Sequence, residues 1–591
     1  MCTEDNMKKI ALSLVSLLAC AYLSAQEALK STEEEYYDFL SIRGIVERPT
    51  LGYRTLSDSE WKFIEDEVPV LDDEGNPVLD EDGNPLTEKQ MPEHPWQDNN
   101  LGKKYTLWQS ENNGANWFTR GFHHGIRFKA YGPEWFNSVN IFQASGQNDG
   151  ALWQGKGYNT SLTGGVRLEA FGFEMTVKPQ ICFSQNLAFN TLGDVYGNSY
   201  GVFFGHNIDL VERYGDSAFW TFDWGDSEIR YTWRNFTVGF GTQTPWLGPA
   251  WLNPMLGSNN AASYPKVDVG LRKTKVVLPF CDWYIADIEG RVWVGKLSAS
   301  DYYTKSPNSS DRLIEMLSVS IAPRFIPGFS FGLNRLFMFR YDLENLRYLN
   351  RLFTLSKDNS TGTGNDEDQK VAVFIDWKFP KIGFEVYGEF GRDDFSSNED
   401  TNPFHTAIYS VGVKQYIPIK LTKLFPKWKK AIDLSSELIF EWNDFEMSQD
   451  FQLQWEYLGY YAHGAITQGY TNKGQLLGAG YGSFGNSQFI GWRIYYPKGS
   501  ILFFFHRYCP NNNSVYSKAV KTAALDPTDE FHRTWYAIFD THFLVGFKTN
   551  YFFLPNLNVS FGFYFENIKR HHYSLDVKNN ANVSLGVKYS F

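Results

Sequence analysis

Beyond its N-terminal leader the chain holds only three cysteines, Cys182, Cys281 and Cys509, an odd number at no metal-like spacing. Neither a disulfide framework nor a zinc site follows. Positive charge is also short: 55 Lys and Arg stand against 67 Asp and Glu, a net charge of -12. No basic stripe relieves it, which excludes a nucleic-acid binder. Apart from the extreme N-terminus no run of 18 or more apolar residues occurs, so no helix spans a bilayer, and any insertion into a membrane must be as a closed barrel. Catalytic patterns are missing too. There is no Gly-x-Ser-x-Gly elbow, and His123-His124 and His571-His572 are adjacent pairs, which on a strand are expected to place the two rings on opposite faces and not to chelate jointly with ease. No catalytic residue, metal ligand or cofactor is assigned. A Ser, His and acid brought together from distant positions is the catalytic arrangement that sequence order leaves open.

Aromatic residues are plentiful. Phe, Tyr and Trp make 17% of the chain, which suits girdles at two membrane interfaces, yet mean hydropathy stays at -0.37 because half of each strand faces water. The C-terminal stretch shows how. Ala581, Val583, Leu585, Val587, Tyr589 and Phe591 alternate without a slip with Asn580, Asn582, Ser584, Gly586, Lys588 and Ser590, so one face is apolar and the other polar. The strand before it repeats the pattern, with Leu557, Val559, Phe561, Phe563 and Phe565 against Asn556, Asn558, Ser560, Gly562 and Glu566. A soluble sandwich can write the same pattern only by matching the apolar face with a second sheet. An aromatic last residue on the oily face fits the final strand of an outer-membrane barrel.

Met7-Lys8-Lys9, the apolar Ile10 to Leu18 and Leu23-Ser24-Ala25 have the three regions of a secretory signal, with cleavage after Ala25; a lipoprotein site at Cys20 is the lesser alternative. Glu27 to Arg43 reads as a helix with Leu29, Tyr36, Phe39 and Leu40 on one side and Gly44 as its stop. The capping-box spacing of Ser57 and Glu60 predicts a second short helix. Both precede the strands, so they lie on the periplasmic side or plug the lumen. A tandem repeat follows, Val70 to Pro77 and Val78 to Pro85, with six acids in sixteen residues. It reads as a solvated acidic insertion: Asp80, Asp82 and Asn84 have the spacing of a calcium loop's first ligands, but Met91 stands where its twelfth-position Glu belongs. From about Trp117 amphipathic strands take over, among them Ile126 to Tyr131, Ile229 to Phe240, Val371 to Phe379, Phe384 to Phe390, Leu434 to Trp442 and Trp535 to Phe547. About 475 residues at roughly ten per strand make a barrel of about 14 to 20 strands. The expected organisation is a signal peptide over 1–25, an N-terminal helical or periplasmic segment over 26–115 with its acidic insertion at 66–95, and an all-β antiparallel transmembrane barrel over 116–591.

Four segments carry more Gly, Trp, Asn and His than strands require: Asn148 to Gly165, Thr244 to Ala261, Asp376 to Pro380 with Tyr387-Gly-Glu389 and Asp393-Asp394, and Tyr461 to Gly464 with Gln468 to Gly474. The prolines of the second bar it from being a central strand. Trp153, Trp246 and Trp251 are candidates to stack on the apolar faces of sugar rings, and Asn148, Asp149, Gln154, Asn259 and Asn260 to pair with hydroxyls. The bland alternatives are the aromatic girdle for each Trp and loops that merely fold over a barrel mouth. On the strands Glu385 and Glu389 share a face opposite Phe384, Val386 and Phe390, so they should point into the lumen, as should Asp376 and Lys378. With Arg127, Lys129 and Arg230 also on polar faces, a salt-bridged and largely occluded interior is expected.

These segments, together with Arg48-Pro-Thr50 and Tyr53-Arg-Thr-Leu56, resemble the Wzi-type capsule assembly proteins of the Gram-negative outer membrane. The resemblance runs through five motifs in order: the N-terminal pair, Asn-Asp-Gly-x-x-Trp-Gln-Gly-x-Gly, Gly-Pro with Ser-Asn-Asn-Ala, Asp-Trp-x-x-Pro with Tyr-Gly-Glu, and the Tyr-x-x-Gly-x-x-x-x-Gly-Tyr block. Two departures are local: the acidic repeat lies outside the family pattern, and His463 stands one place late. What the resemblance implies is a barrel of about eighteen strands with a small N-terminal helical plug, set in outer-membrane lipid with its loops at the cell surface. It further implies a non-enzymatic barrel that binds surface or capsular polysaccharide through those external loops. A porin or substrate-specific channel, and a scaffold of a surface or secretion machinery, are the rival readings.

Overall fold

The computed structural model describes residues 31–591 except 73–76, 80–82, 84, 104–107, 110–124, 194–197, 203–207, 304–310, 355–366, 395–401, 403, 428–431, 456–457, 483, 514, 517–527 and 529–538. The expected signal peptide, the Cys20 alternative, Leu29, the calcium-like Asp80, Asp82 and Asn84, the His123-His124 pair and Trp535 lie outside the described residues.

Eighteen antiparallel staves close into one barrel. In chain order they are β1 (Ile126–Asn140), β2 (Gly157–Ala170), β3 (Phe173–Val177 with Gln180–Ser184), β4 (Phe219–Asp223 with Glu228–Trp233), β5 (Phe236–Gly241), β6 (Lys266–Leu278), β7 (Trp283–Ser298), β8 (Asp311–Pro323) and β9 (Phe329–Arg340). The second half comprises β10 (Glu367–Phe379), β11 (Phe384–Asp393), β12 (Ala407–Ile419), β13 (Leu434–Asp444), β14 (Asn486–Tyr496), β15 (Gly499–Cys509), β16 (Thr541–Leu554), β17 (Leu557–Lys569) and β18 (Val577–Tyr589). β3 is interrupted at Lys178-Pro179, where proline has no N–H to give the ladder. β18 pairs back onto β1, from Asn582 opposite Asn140 to Lys588 opposite Glu134, so the ring leaves no stave edge to hydrocarbon.

The alternation of the last two strands has the expected polarity. Val583 and Leu585 on β18 and Phe561, Phe563 and Phe565 on β17 are exposed on the outer wall, whereas Asn580, Asn582, Asn558 and Glu566 are buried inward. An oily exterior around a polar interior is the inverse of a soluble sandwich. One strand of the sequence reading needs correction: Ile229 to Phe240 is a hairpin, the end of β4 and the start of β5 joined at Arg234-Asn235. Both turn residues have positive φ, the backbone of a two-residue type I′ turn. The trace was a one-place slip in the outward residues, from Ile229, Tyr231 and Trp233 to Phe236, Val238 and Phe240. Such short turns lie at one end of the barrel, the periplasmic one, and the stave ends that long connections join, such as those after β3, β9 and β13, at the external one.

Inside the periplasmic half sits α1 (Thr32–Ile42). The Ser31 hydroxyl caps it, accepting the Glu34 N–H at 3.2 Å, and Glu33, Glu34 and Glu35 suit the positive end of its dipole. Its aromatics pack on the wall and on the following arm: Tyr36 stacks on Trp96 at 4.0 Å and Phe39 on Tyr495 at 4.3 Å. Its acids find wall cations, Glu33 with Lys129 at 2.9 Å and Glu35 with Arg493 at 2.9 Å. Asp38 enters a network with Arg48 and Lys414; Arg48 also donates to Asp376 at 2.9 Å and Glu385 at 3.1 Å, and Lys414 to Glu385 at 3.1 Å. Two of the four expected lumen charges, Asp376 and Glu385, thus hold the plug's arm, and Lys378 lies 3.9 Å from Asp376 on the same stave.

The helix expected from Ser57 does not form. Leu56–Asp58 is a single 3-10 turn. Glu60 closes no capping box, because its carboxylate accepts from Arg127 at 2.6 Å, and Asp58 takes Arg272 at 2.6 Å and Arg291 at 3.0 Å. Charge-assisted bonds to the wall outcompete the local cap. Replacing Arg48 by Ala strands three carboxylates beside two lysines in a buried site, a loss of about 3–5 kcal/mol. We expect the amides of α1 to lose hydrogen-exchange protection while the barrel staves keep theirs; unchanged protection of α1 would contradict the network's role.

Candidate functional site

Above the plug the lumen is crossed by irregular backbone. Within a membrane barrel such a segment must find acceptors for its N–H groups, and the wall provides carboxylates. Glu289 on β7 accepts the N–H of Leu51 at 2.6 Å and of Tyr53 at 2.7 Å. Glu441 on β13 accepts those of Trp251, Leu252 and Asn253 at 2.6, 3.0 and 2.8 Å, and the Tyr387 hydroxyl at 2.8 Å. Glu389 on β11, the fourth expected lumen charge, accepts from Met255 at 3.0 Å and Ala250 at 3.3 Å. Gly248 is required beside it, since it has a φ of +81° and a Cβ there would lie 2.3 Å from a Glu389 oxygen.

Three of the segments singled out in the sequence are thereby knitted into one cap. Trp246-Leu247 pairs with Tyr53-Arg54, joining the Thr244 to Ala261 segment to the N-terminal motif. Tyr461 donates its hydroxyl to the Met255 carbonyl at 2.7 Å and Tyr470 to that of Leu256 at 2.6 Å. The Ser258 N–H reaches the Leu477 carbonyl at 2.9 Å, and the Gly150 N–H that of Asn259 at 2.6 Å.

The cap does not fill the lumen. A cavity of about 560 Å³ runs from Ser31, Thr32 and Glu35 on the plug to Glu212 and His572 among the external loops, against the wall of β14–β18 and β1. The volume lies in the range of about 300–1,000 Å³ typical of ligand sites. Room along the wall comes from small residues, Ser560, Gly562 and Ser584, and aromatic side chains make up much of the remaining lining.

Of the eight expected ligand residues, Asn148, Asp149, Trp153, Gln154, Trp251 and Asn260 line this cavity. Trp153 packs on Tyr214 at 4.9 Å and Trp251 on Phe489 at 4.9 Å. Asp149 accepts from the Gln154 amide at 2.7 Å; burial pushes its carboxyl up to about 6 against the pull of that bond. The buried Asn148 Oδ1 and Trp153 Nε1 have no partner among the described residues. Trp246 and Asn259 lie elsewhere. Trp246 is 2% exposed, its indole N–H donating to the Ala250 carbonyl at 2.9 Å, so it is a core residue of the cap; Asn259 is buried and clasps Gly150.

Sequence reasoning missed the aromatics of the far wall, Phe489, Phe504, Tyr508 and Tyr564. The signal was there: Leu502-Phe-Phe-Phe-His-Arg-Tyr508 puts aromatics on both faces of β15, and a membrane stave needs them on only one.

The sequence model for the family described as Capsule assembly protein Wzi matches residues 173–583. No curated protein matches the chain. Among solved structures, similarity is found to one described as Wzi, an outer membrane protein involved in group 1 capsule assembly in Escherichia coli and a carbohydrate-binding β-barrel, with 11% identity, 78% of this chain and 85% of that one covered, and a TM-score of 0.46. Pseudomonas putida OprB is similar at 12% identity, with 79% and 94% covered and a TM-score of 0.35, and Pseudomonas aeruginosa OccK11 at 6%, with 80% and 98% covered and a TM-score of 0.35. The family match spans β3 to β18, more than half of the chain, and on that ground this outer-membrane barrel belongs to the Wzi capsule assembly family.

Proposed function

We propose that the chain holds surface polysaccharide at the outer membrane by non-covalent, non-enzymatic binding in the lumen cavity and the cap beside it. The observation that carries this is the make-up of the cavity: its lining combines aromatic rings, Trp153, Trp251, Phe489 and Phe504 among them, with amides and a carboxylate, and the buried Asn148 Oδ1 and Trp153 Nε1 have no partner among the described residues. Flat apolar faces suit the C–H faces of sugar rings, and the amides and carboxylate suit their hydroxyls. The solved Wzi of Escherichia coli is described as carbohydrate-binding, in agreement with this reading.

Binding of purified capsular polysaccharide to the detergent-solubilised protein, followed by calorimetry, tests it. Replacing Trp153 and Trp251 together by Ala is expected to weaken affinity roughly ten-fold or more, as loss of aromatic anchors does at binding sites. Unchanged affinity would place the site elsewhere, and no binding by the wild type would remove the reading.

Asp149 makes the same binding pH-dependent. With its carboxyl raised to about 6, it is an acceptor of hydroxyl groups above that pH and is protonated below it. Affinity should fall as pH drops through about 6, and Asp149→Asn should flatten that dependence; a parallel fall in both proteins would assign it to another group.

Plug and cap together close most of the bore. In planar bilayers the protein should show no large steady conductance, and wide, stable openings would favour the channel reading.

A further inference from the structure

The first part of the connection between β9 and β10 folds back onto the outside of the barrel. This part, the 3-10 segment Leu343–Phe353, is capped by Asp342, whose carboxylate accepts the Glu344 N–H at 2.9 Å, and lies against the outside of β8 and β9. Leu313, Leu317, Phe337, Phe339 and Leu352 are buried together beneath it. Register places the stave residues of this cluster on the lipid side, the face on which Val319 and Phe331 are exposed.

Two charged residues share that outward face, Glu315 and Arg335, and the segment covers both. Arg335 donates to the Thr354 carbonyl and, at 3.3 Å, to Gln369, while Arg351 pairs with Glu367. Glu315 stands eight residues above Pro323 at the periplasmic end. At about 3.3 Å per residue and a tilt of about 40°, that is roughly 20 Å up an apolar band about 25 Å tall, close to its outer boundary.

The segment therefore lies at the height where acyl chains give way to headgroups. Residues three apart eclipse one another in a 3-10 helix, and the ridge Leu343, Leu346, Leu349, Leu352 passes from 61% exposed at its start to 2% at its end. The stripe that packs on the wall at its C-terminal end is thus exposed at its start, and Phe353 is exposed as well. Beside it Arg347, stacked at 4.8 Å on Tyr348, is exposed and makes no ion pair among the described residues.

We propose that Leu343–Phe353 is an in-plane anchor on the outer leaflet, with Leu343, Leu346 and Phe353 among the acyl chains and Arg347 on the phosphate of a lipid headgroup. Burial of an apolar stripe beside a guanidinium that meets phosphate is the physics of interfacial segments in general. In this barrel it also keeps Glu315 and Arg335 out of hydrocarbon, where charge on the lipid face is costly.

The test uses the full-length protein in detergent, incubated with bis-phosphorylated lipid A or with the same lipid dephosphorylated, and native mass spectrometry to count retained lipid. The wild type should keep the phosphorylated form preferentially; Arg347→Glu should lower its retention at least about five-fold, as loss of one interfacial cation does, and Arg347→Lys should largely restore it. Excess inorganic phosphate should not displace the lipid. Replacing Leu343, Leu346 and Phe353 together by Ser should reduce retention of both forms. Equal retention of the two lipids, an Arg347→Glu protein that binds like wild type, or displacement by free phosphate would each overturn the proposal. Heat-modifiable gel migration reports whether each variant is a closed barrel; if the triple variant is not, Arg347→Glu, at an exposed side chain, decides.

Discussion

Backbone that leaves the ladder inside a barrel needs acceptors, and the interior of this protein is organised around meeting that need with wall carboxylates. Glu289, Glu389 and Glu441 sit on three different staves and point inward. Glu289 and Glu441 each take N–H groups from successive residues, and Glu389 takes those of Ala250 and Met255, in segments that could not otherwise cross a lumen. A carboxyl group that accepts several N–H groups at once ties them to a fixed point of the wall, so the cap is anchored even though little of it is regular structure.

The same wall divides its work by height. Towards the periplasm its ions face the ions of α1 and Arg48; higher up they face peptide N–H groups. The bore is therefore narrowed twice by different chemistry, and the space left between plug, cap and wall lies towards β14–β18 and β1. Small residues on those staves leave a recess of ligand size, lined by aromatics of the same staves and of the cap.

Much of this was legible in the sequence. Period-two alternation over Asn580 to Phe591 fixed which face meets lipid, and the inward aim of Asp376, Lys378, Glu385 and Glu389 followed from their strands alone. The partners did not follow. Glu389 binds backbone amides of a loop well over a hundred residues earlier, and no side-chain pattern marks an amide as a partner. Composition likewise treated Trp246, Trp251 and Trp153 alike, whereas packing buries the first in the cap and leaves the other two beside the cavity. Ser57 and Glu60 had the right spacing for a local cap, but spacing carries no information about Arg127, Arg272 and Arg291 converging from the wall.

The seam of the ring unites residues at opposite ends of the barrel sequence: Asn582 on the final stave donates to Asn140 on the first, 442 positions away. The stave synthesised last is the one that shuts the cylinder. Plug and cap are already bonded to staves in the middle of the chain, Asp38 to Lys414 across 376 positions among them. The interior contents can thus be laid onto an open, curling sheet and walled in by the final strand, with no need to be threaded through a finished pore.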